Sequence, residues 1–260
     1  MSAPAYEVYA IKYAHHERTA SQNFLGGDPH DGPMPMDYFV WLVRGAGVEL
    51  VVDTGFGAAT AARRQRQLLR PVDRALALMS VAASEVRDVV ITHLHYDHVG
   101  SFDLFPAATF HLQDLEMQYA TGRHMGREAL RQAFEVEDVI GMVRNVYAGR
   151  VRFHAGDAVL FPGVSLHHVG GHTMGLQVVR VATRRGWVVL ASDASHYYAN
   201  MAEGRPFPIV YNVGDMMDGW RKVLALADSP AHVVPGHDPL VLERYPAPSE
   251  ALKGIVARLD

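Results

Sequence analysis

Short apolar runs alternate with longer amphipathic stretches along the chain, which is the pattern of a β-rich α/β protein. A period of two, or an apolar run bounded by turn residues, predicts a strand. The segments that meet this criterion are 6–13, 38–43, 49–52, 88–92, 109–112, 152–153, 158–161, 164–169, 177–182, 187–192 and 232–235. No long polar linker separates them, so we expect a single domain over residues 1–260.

Helical periodicity is clearest near the carboxyl terminus. Apolar residues recur every three or four positions in 215–227, behind Asp215 as a candidate cap, and again in 249–259, behind Ser249. Three further segments also read as helical: 58–83, 114–121 and 126–146. We expect each apolar stripe to pack against a sheet.

Segment 15–37 differs from its surroundings because it is aperiodic yet lies between two predicted strands. It holds three prolines, three glycines and three histidines. Long aperiodic loops in compact domains are often functional, and we predict an active-site loop here. In segment 58–83, Arg63, Arg64, Arg66 and Arg70 are interpreted as a solvated helix face without a function.

Composition narrows the function classes. The chain has 260 residues, 49% of them hydrophobic, with 24 Lys+Arg against 28 Asp+Glu and a net charge of −4. This balance lacks the basic excess of a nucleic-acid binder. The absence of cysteine excludes disulfides, thiolate metal ligands and cysteine nucleophiles.

The sequence shows no pattern typical of a signal peptide or a membrane span. The amino-terminal residues do not form a basic segment followed by an apolar one, and no unbroken apolar run approaches the ~20 residues that span a bilayer. We therefore expect a cytoplasmic protein without a membrane partner. The unusual feature is the content of 15 histidines.

A metal-ligand pattern follows predicted strand 88–92, where the chain reads His93-Leu94-His95-Tyr96-Asp97-His98. In a chain of this composition, the pattern H-x-H-x-D-H is expected by chance only about 0.003 times. Alternate residues of extended backbone point to one side, so His93 and His95 can converge on one cation. Asp97 and His98 then face elsewhere.

Further ligand candidates follow later strands. His172 comes after segment 164–169, Asp193 after 187–192 and His237 after 232–235. Ligands gathered at one end of a sheet can meet at one point, so the seven residues could hold two metals. Imidazole and carboxylate ligands suit Zn²⁺ and also accept Mn²⁺, Fe²⁺ or Co²⁺, with zinc as the default.

These motifs, taken in order, resemble the metallo-β-lactamase superfamily. The matching residues are Thr-His-Leu-His-Tyr-Asp-His-Val-Gly, Gly-Gly-His-Thr, Ser-Asp-Ala and Pro-Gly-His-Asp, with Val-Val-Asp-Thr-Gly at 51–55 before them. Within the superfamily the chain is most similar to the N-acyl-homoserine lactonase-like, quorum-quenching branch. The resemblance implies an α/β fold, an αββα sandwich, with a dinuclear and usually zinc site between the edges of its two sheets.

The resemblance also implies a role for each candidate residue. Asp193 would bridge the metals, and Asp53 would be a buried carboxylate beside them. The implied ligands are His93, His95 and His172 for one metal, and Asp97, His98 and His237 for the other.

The lactonase-like branch often has a tyrosine three residues after the bridging aspartate, whereas this chain has His196 there, followed by Tyr197. We take Asp97, His196 and Tyr197 as the candidate catalytic residues. His196 or Tyr197 would donate a hydrogen bond to the oxyanion or protonate the leaving oxygen.

A water that bridges two such cations loses its proton near neutral pH, so the expected nucleophile is a metal-bridging hydroxide. We predict a hydrolase that opens the ring of an N-acyl-homoserine lactone or another small lactone. Two alternatives keep the same chemistry: a hydrolase of a cyclic amide or imide, and a glyoxalase-II-like thioester hydrolase. A persulfide dioxygenase with one iron is a third alternative, which seven ligand candidates disfavour.

Overall fold

Two β-sheets form the centre of the computed structural model, which describes residues 4–260. All of the predicted strands are present, with shifted ends, and Gln67–Leu68 and Val256–Arg258 are additional strands. Within residues 4–260 the strands are β1 (Glu7–His16), β2 (Met36–Gly45), β3 (Val48–Val52), β4 (Gln67–Leu68), β5 (Asp88–Val90), β6 (Thr109–Gln113), β7 (Val151–His154), β8 (Ala158–Phe161), β9 (Val164–His168), β10 (Gln177–Thr183), β11 (Gly186–Ser192), β12 (Val233–Pro235) and β13 (Val256–Arg258).

Strand order separates the two sheets along the chain. The first sheet runs β13-β1-β2-β3-β5-β6-β7, and β4 pairs with β1. The second runs β12-β11-β10-β9-β8. β3, β5, β6 and β7 are mutually parallel, and β12 is parallel to β11. Parallel neighbours bring their carboxyl ends to the same edge of a sheet, so the loops that follow them can converge.

Helices cover the outer faces of both sheets. The helices within residues 4–260 are α1 (Ala58–Arg64), α2 (Val72–Ala77), α3 (Tyr96–Val99), α4 (Asp114–Thr121), α5 (Glu128–Arg131), α6 (Val136–Tyr147), α7 (Tyr198–Glu203), α8 (Val213–Leu226) and α9 (Leu240–Arg244). Among the described residues, none of these helices combines the length and the apolarity that a membrane crossing requires.

Alternation along the strands creates the layers. In β1, Val8 and Ala10 pack between the sheets with β10 and β11 residues such as Val179 and Leu190. The next residue, Tyr9, belongs instead to the cluster that includes the helices on the other face. Because successive side chains point to opposite faces, each strand supplies two cores. The αββα fold predicted from the sequence is confirmed.

Three helix predictions are wrong in whole or in part. Segment 249–259 forms one short 3₁₀ turn and then β13, whose Ala257 pairs antiparallel with Ala10 of β1. Gly254, with φ of 73°, ends any helix there, and the strand pairing satisfies backbone groups that the edge of β1 would otherwise leave open. Segment 58–83 is interrupted by β4 and by Pro71, so it forms α1 and α2 rather than one helix.

The predicted helix 215–227 is present as α8, with a different cap. Asn212 is the N-cap, and its side-chain oxygen accepts a hydrogen bond from the backbone nitrogen of Asp215 at 3.2 Å. Predicted helix 126–146 is also divided, into α5 and α6. The cap at Asn212 therefore starts α8 at Val213, two residues before the start that periodicity predicted.

Asp138 on α6 offers a test of the helix layer. Burial raises its pKa from 3.8 to about 6, and Glu135 adds to the effect. The folded state therefore disfavours the charged carboxylate. The resulting loss of free energy of unfolding is absent below pH 4, grows between pH 4 and 6, and is constant above pH 6. We expect Asp138→Asn to raise the free energy of unfolding by about 1 kcal/mol at pH 8, after allowance for solvent screening, and by nothing at pH 4.

Urea denaturation of both proteins at the two pH values measures this difference. Asp218→Asn, which changes an exposed carboxylate, is the matched control and should show no pH-dependent gain. An equal gain for Asp138→Asn at pH 4 and pH 8 would contradict the electrostatic cause.

Candidate metal centre

The candidate ligands lie in loops that follow strands of both sheets. His93 and His95 follow β5, His172 follows β9, Asp193 follows β11 and His237 follows β12, while Asp97 and His98 lie on α3. All seven are buried, with exposed fractions between 0% and 9%. Residues up to 144 positions apart in the sequence therefore share one buried cluster.

The first group is formed by His93, His95 and His172, which can hold one metal ion. Nε2 of His172 lies 3.2 Å from Nε2 of His93 and 2.9 Å from Nδ1 of His95. Nε2 of His93 lies 3.0 Å from Nδ1 of His95. Three nitrogens bound to one tetrahedral zinc stand about 3.3 Å apart. The three imidazole nitrogens are thus arranged around one point.

The second group is formed by Asp97, His98 and His237. Oδ2 of Asp97 lies 3.8 Å from Nε2 of both His98 and His237. These ligand atoms are more widely spaced than those of the first group, and all face the same interior point. Two further groups overlap with these, one formed by His93, His98 and Asp193 and the other by His172, Asp193 and His196.

Asp193 lies between the two groups, with one oxygen facing each. Its Oδ2 lies 3.2 Å from Nε2 of His172, and its Oδ1 lies 3.0 Å from Nε2 of His237. Gly236 makes this approach feasible, because a Cβ atom there would lie 2.7 Å from Oδ1 of Asp193. The carboxylate is therefore placed to serve both groups.

The polar atoms of the cluster fit metal ions. Among the described residues, Nε2 of His98, Nε2 of His237 and Oδ1 of Asp193 are buried and form no hydrogen bond. Unpaired buried donors and acceptors are costly, and a cation among them would satisfy all three. Nitrogen and carboxylate donors without thiolates suit divalent transition metals such as zinc.

The outward-facing ring nitrogens are held by other groups. Nδ1 of His172 lies 2.6 Å from the carbonyl oxygen of Ile209, and Nδ1 of His237 lies 2.9 Å from that of Asp37. Nδ1 of His98 lies 2.7 Å from Oδ2 of Asp53. Such contacts set the tautomer and orient the ring toward a metal. Asp53 is thus the buried carboxylate that the resemblance implied.

Electrostatics favour neutral imidazoles at His93 and His95. Burial lowers the pKa values of His93 and His95 well below the ordinary value, and neighbouring imidazoles lower them further. For Asp193, burial raises the pKa, but His237, His98 and His196 outweigh it and hold the pKa well below its usual range. Neutral imidazole and ionised carboxylate are the forms that bind metals.

Glu116 on α4 connects two ligand loops, and sequence reasoning missed it. Its Oε1 accepts a hydrogen bond from the backbone nitrogen of Leu94 at 2.8 Å, between His93 and His95. Its Oε2 accepts from the Thr173 hydroxyl at 2.6 Å and the Gly175 nitrogen at 3.0 Å. The only local signal was an acidic residue within a helix that otherwise packs on the sheet.

We expect Glu116→Gln to weaken metal binding by about 10- to 100-fold, the usual range for loss of an outer contact. The amide nitrogen of glutamine cannot accept a hydrogen bond, so one of the two ligand loops would lose its hydrogen bond to residue 116. Competition with a chelator measures the affinity. Glu128→Gln, at an exposed position on α5, is the matched control, and equal affinities of the two variants would refute this role of Glu116.

His196 and Tyr197 occupy different places. Nε2 of His196 lies 2.9 Å from Oδ2 of Asp193, and its ring stacks on Phe207 with centroids 3.6 Å apart. Burial lowers the pKa of His196 to about 3, against the opposing effect of Asp193. The Tyr197 hydroxyl instead donates toward the carbonyl oxygens of Met34 and Pro35. The structure brings His196 to the cluster and leaves Tyr197 outside it.

A cavity of about 120 Å³ opens onto the cluster. Besides the candidate ligands and His196, its walls include Arg18, Met36, Arg64, Arg66, Tyr96 and Ile209. Segment 15–37 supplies two of these residues, Arg18 and Met36, and its role as an active-site loop stays a prediction. The interpretation of Arg64 and Arg66 as a solvated helix face is wrong, because Arg64 at the end of α1 and Arg66 in the turn after it both line this cavity.

Comparison with known proteins places the chain among metal-dependent hydrolases. The family model of the metallo-beta-lactamase superfamily matches residues 34–237. A "probable metallo-hydrolase" of Mycobacterium tuberculosis is 28% identical over 221 residues, which cover 73% of this chain and 71% of the relative. The N-acyl homoserine lactonase AttM of Azorhizobium caulinodans is 29% identical over 164 residues, covering 62% and 61%.

Solved structures show the same fold. A quorum-quenching N-acyl homoserine lactone lactonase superposes with a TM-score of 0.75 at 19% identity, covering 92% of this chain and 93% of that one. The dizinc quorum-quenching lactonase AidC superposes with a TM-score of 0.70 at 16% identity, covering 91% and 90%.

Proposed function

Because this chain belongs to the metallo-beta-lactamase superfamily and is a metallo-hydrolase, we propose that it opens the ring of a small lactone at a dinuclear, zinc-binding centre. Its curated relatives include N-acyl homoserine lactonases, and a quorum-quenching role would follow if the substrate is of that kind. The observation that carries the proposal is the position of Asp193 between two groups of three ligands.

The chain's own residues define what the centre can do. Two divalent cations held there would polarise an ester carbonyl and lower the pKa of a bound water to near neutrality. No serine or cysteine nucleophile is needed for this chemistry, and none lines the cavity in the described part of the chain. Asp193 and Asp97 would hold the cations, and Nε2 of His196 lies 2.9 Å from Oδ2 of Asp193.

The size of the cavity favours a small ring. Pockets for drug-sized ligands have volumes of about 300–1,000 Å³, well above the 120 Å³ found here. A five- or six-membered lactone fits within that space, whereas a long acyl chain would have to lie outside it. We therefore expect small lactones to be better substrates than N-decanoyl-homoserine lactone.

Kinetics with metal-loaded protein test the proposal. The panel contains γ-butyrolactone, N-hexanoyl-homoserine lactone, hydantoin as a cyclic imide and S-lactoylglutathione as a thioester. We expect ring opening of at least one lactone at a kcat/KM above about 10⁴ M⁻¹s⁻¹ and values at least about 100-fold lower for the imide and thioester. Elemental analysis of the same sample should give two divalent metals per chain.

Two results would defeat the proposal. One is the absence of lactone turnover at full metal loading, with hydrolysis of the imide or the thioester instead. The other is a single iron per chain without a second metal, which would point to redox chemistry.

A further inference from the structure

Two arginines line the cavity without an acidic partner. Arg18 comes from segment 15–37, and Arg66 comes from the turn after α1. Among the described residues, neither guanidinium lies within 4.0 Å of a carboxylate oxygen. Arg64, on the same wall, is different, because its Nε lies 2.7 Å from Oε1 of Glu135. The two unpaired arginines therefore leave positive charge at the cavity.

Neutral groups hold these guanidinium groups in place. Arg66 donates from Nε to the Tyr96 hydroxyl at 3.1 Å and from Nη1 to the Arg64 carbonyl at 2.6 Å. Its Nη2 forms no hydrogen bond within residues 4–260. Arg18 donates from Nη2 to the Gln22 carbonyl and from Nη1 to the sulfur of Met36. These contacts orient the side chains but leave their charge uncompensated.

The charge balance of the cavity supports the same conclusion. The carboxylates that face it are Asp97 and Asp193, and their combined charge of −2 is smaller than the +4 of two divalent cations. They therefore cannot neutralise the arginines in the metal-loaded protein. Burial lowers the pKa of nearby His16 to about 4, and the charges of Arg66 and Arg18 lower it further.

We propose that Arg18 and Arg66 bind a carboxylate on the substrate, so that the preferred substrate is a small lactone carrying a carboxylate group. This inference rests on the proposed lactonase function. Nη2 of Arg66 is free to donate to a carboxylate oxygen, and partial burial strengthens a hydrogen bond between two charged groups. The small cavity holds the lactone ring near the metal centre while its substituent meets the arginines.

A matched pair of lactones tests the inference: 5-oxotetrahydrofuran-2-carboxylate and its neutral carboxamide. For the wild-type protein we expect kcat/KM at least about 10-fold higher with the carboxylate. Arg66→Gln and Arg18→Gln should each lower the value for the carboxylate by about 10- to 100-fold, and the value for the carboxamide by less than about 3-fold. Arg66→Lys, which keeps the charge, should restore part of the difference.

Control measurements separate this effect from structural damage. Arg74→Gln removes an exposed arginine away from the cavity and should preserve both kcat/KM values. Metal content and melting temperature of each variant are compared with the wild type. Equal losses for the two lactones in Arg66→Gln and Arg18→Gln, or equal wild-type values for the pair, would overturn the inference.

Calorimetry keeps the inference independent of turnover. If the metal-loaded protein opens neither lactone, the lactonase proposal fails. Binding of the two compounds to the wild type and to Arg66→Gln then tests whether the arginines bind a carboxylate. Tighter binding of the carboxylate to wild type, lost in Arg66→Gln, supports the carboxylate site. Equal binding of both compounds to the wild type overturns it.

Discussion

Asp193→Ala is expected to abolish dinuclear metal binding and activity together. The two carboxylate oxygens face different ligand groups, Oδ2 at 3.2 Å from His172 Nε2 and Oδ1 at 3.0 Å from His237 Nε2. Without them, two divalent cations would face each other across a gap with only Asp97 as a negative ligand. We expect at most one metal per chain and a kcat/KM for lactones at least about 10³-fold lower.

Elemental analysis and lactone kinetics on the same preparation measure both effects. Asp218→Ala removes a carboxylate that is exposed on α8, and it should retain two metals and full activity. Asp193→Asn keeps the shape of the side chain and removes its charge, which separates the contribution of charge from that of packing. An Asp193→Ala protein with two metals and unchanged kcat/KM would refute a bridging role.

His196→Phe is expected to lower kcat by about 100- to 1,000-fold, the usual cost of one lost donor to a developing oxyanion. The substitution keeps an aromatic ring that can stack on Phe207 and removes the Nε2 donor beside Asp193. Because the donor acts mainly in the transition state, KM should change by less than about 3-fold. Steady-state assays with a small lactone, at matched metal content, measure kcat and KM.

Two further readouts distinguish the roles open to His196. His196→Gln retains an N–H donor and should recover part of kcat, which a purely packing role would not produce. His196 also lies close enough to His172 and Asp193 to join a metal site. Loss of metal from His196→Phe would identify a ligand, and a kcat within about 3-fold of wild type would identify a packing residue.

Most of the strands and the position of the ligand cluster were predictable from local pattern. The residues His93, His172 and His237 each follow an apolar strand, which marked them as candidates, although β5 lies in the first sheet and β9 and β12 lie in the second. The C-terminal segment was mispredicted because its apolar spacing fits a helix as well as a strand. Pairing with β1 decided between them, and that partner lies about 250 residues away.

By itself, the sequence determined most of the strands and the H-x-H-x-D-H motif, because both depend on spacings of a few residues. Only the tertiary structure decided which other side chains reach the centre. Glu116 contacts Leu94 and Thr173, 22 and 57 positions away. Arg18 and Arg66 meet at one cavity although different elements carry them. The Tyr197 hydroxyl turned toward segment 15–37 instead of the centre. Contacts between distant segments depend on how elements pack, and no local period encodes that packing.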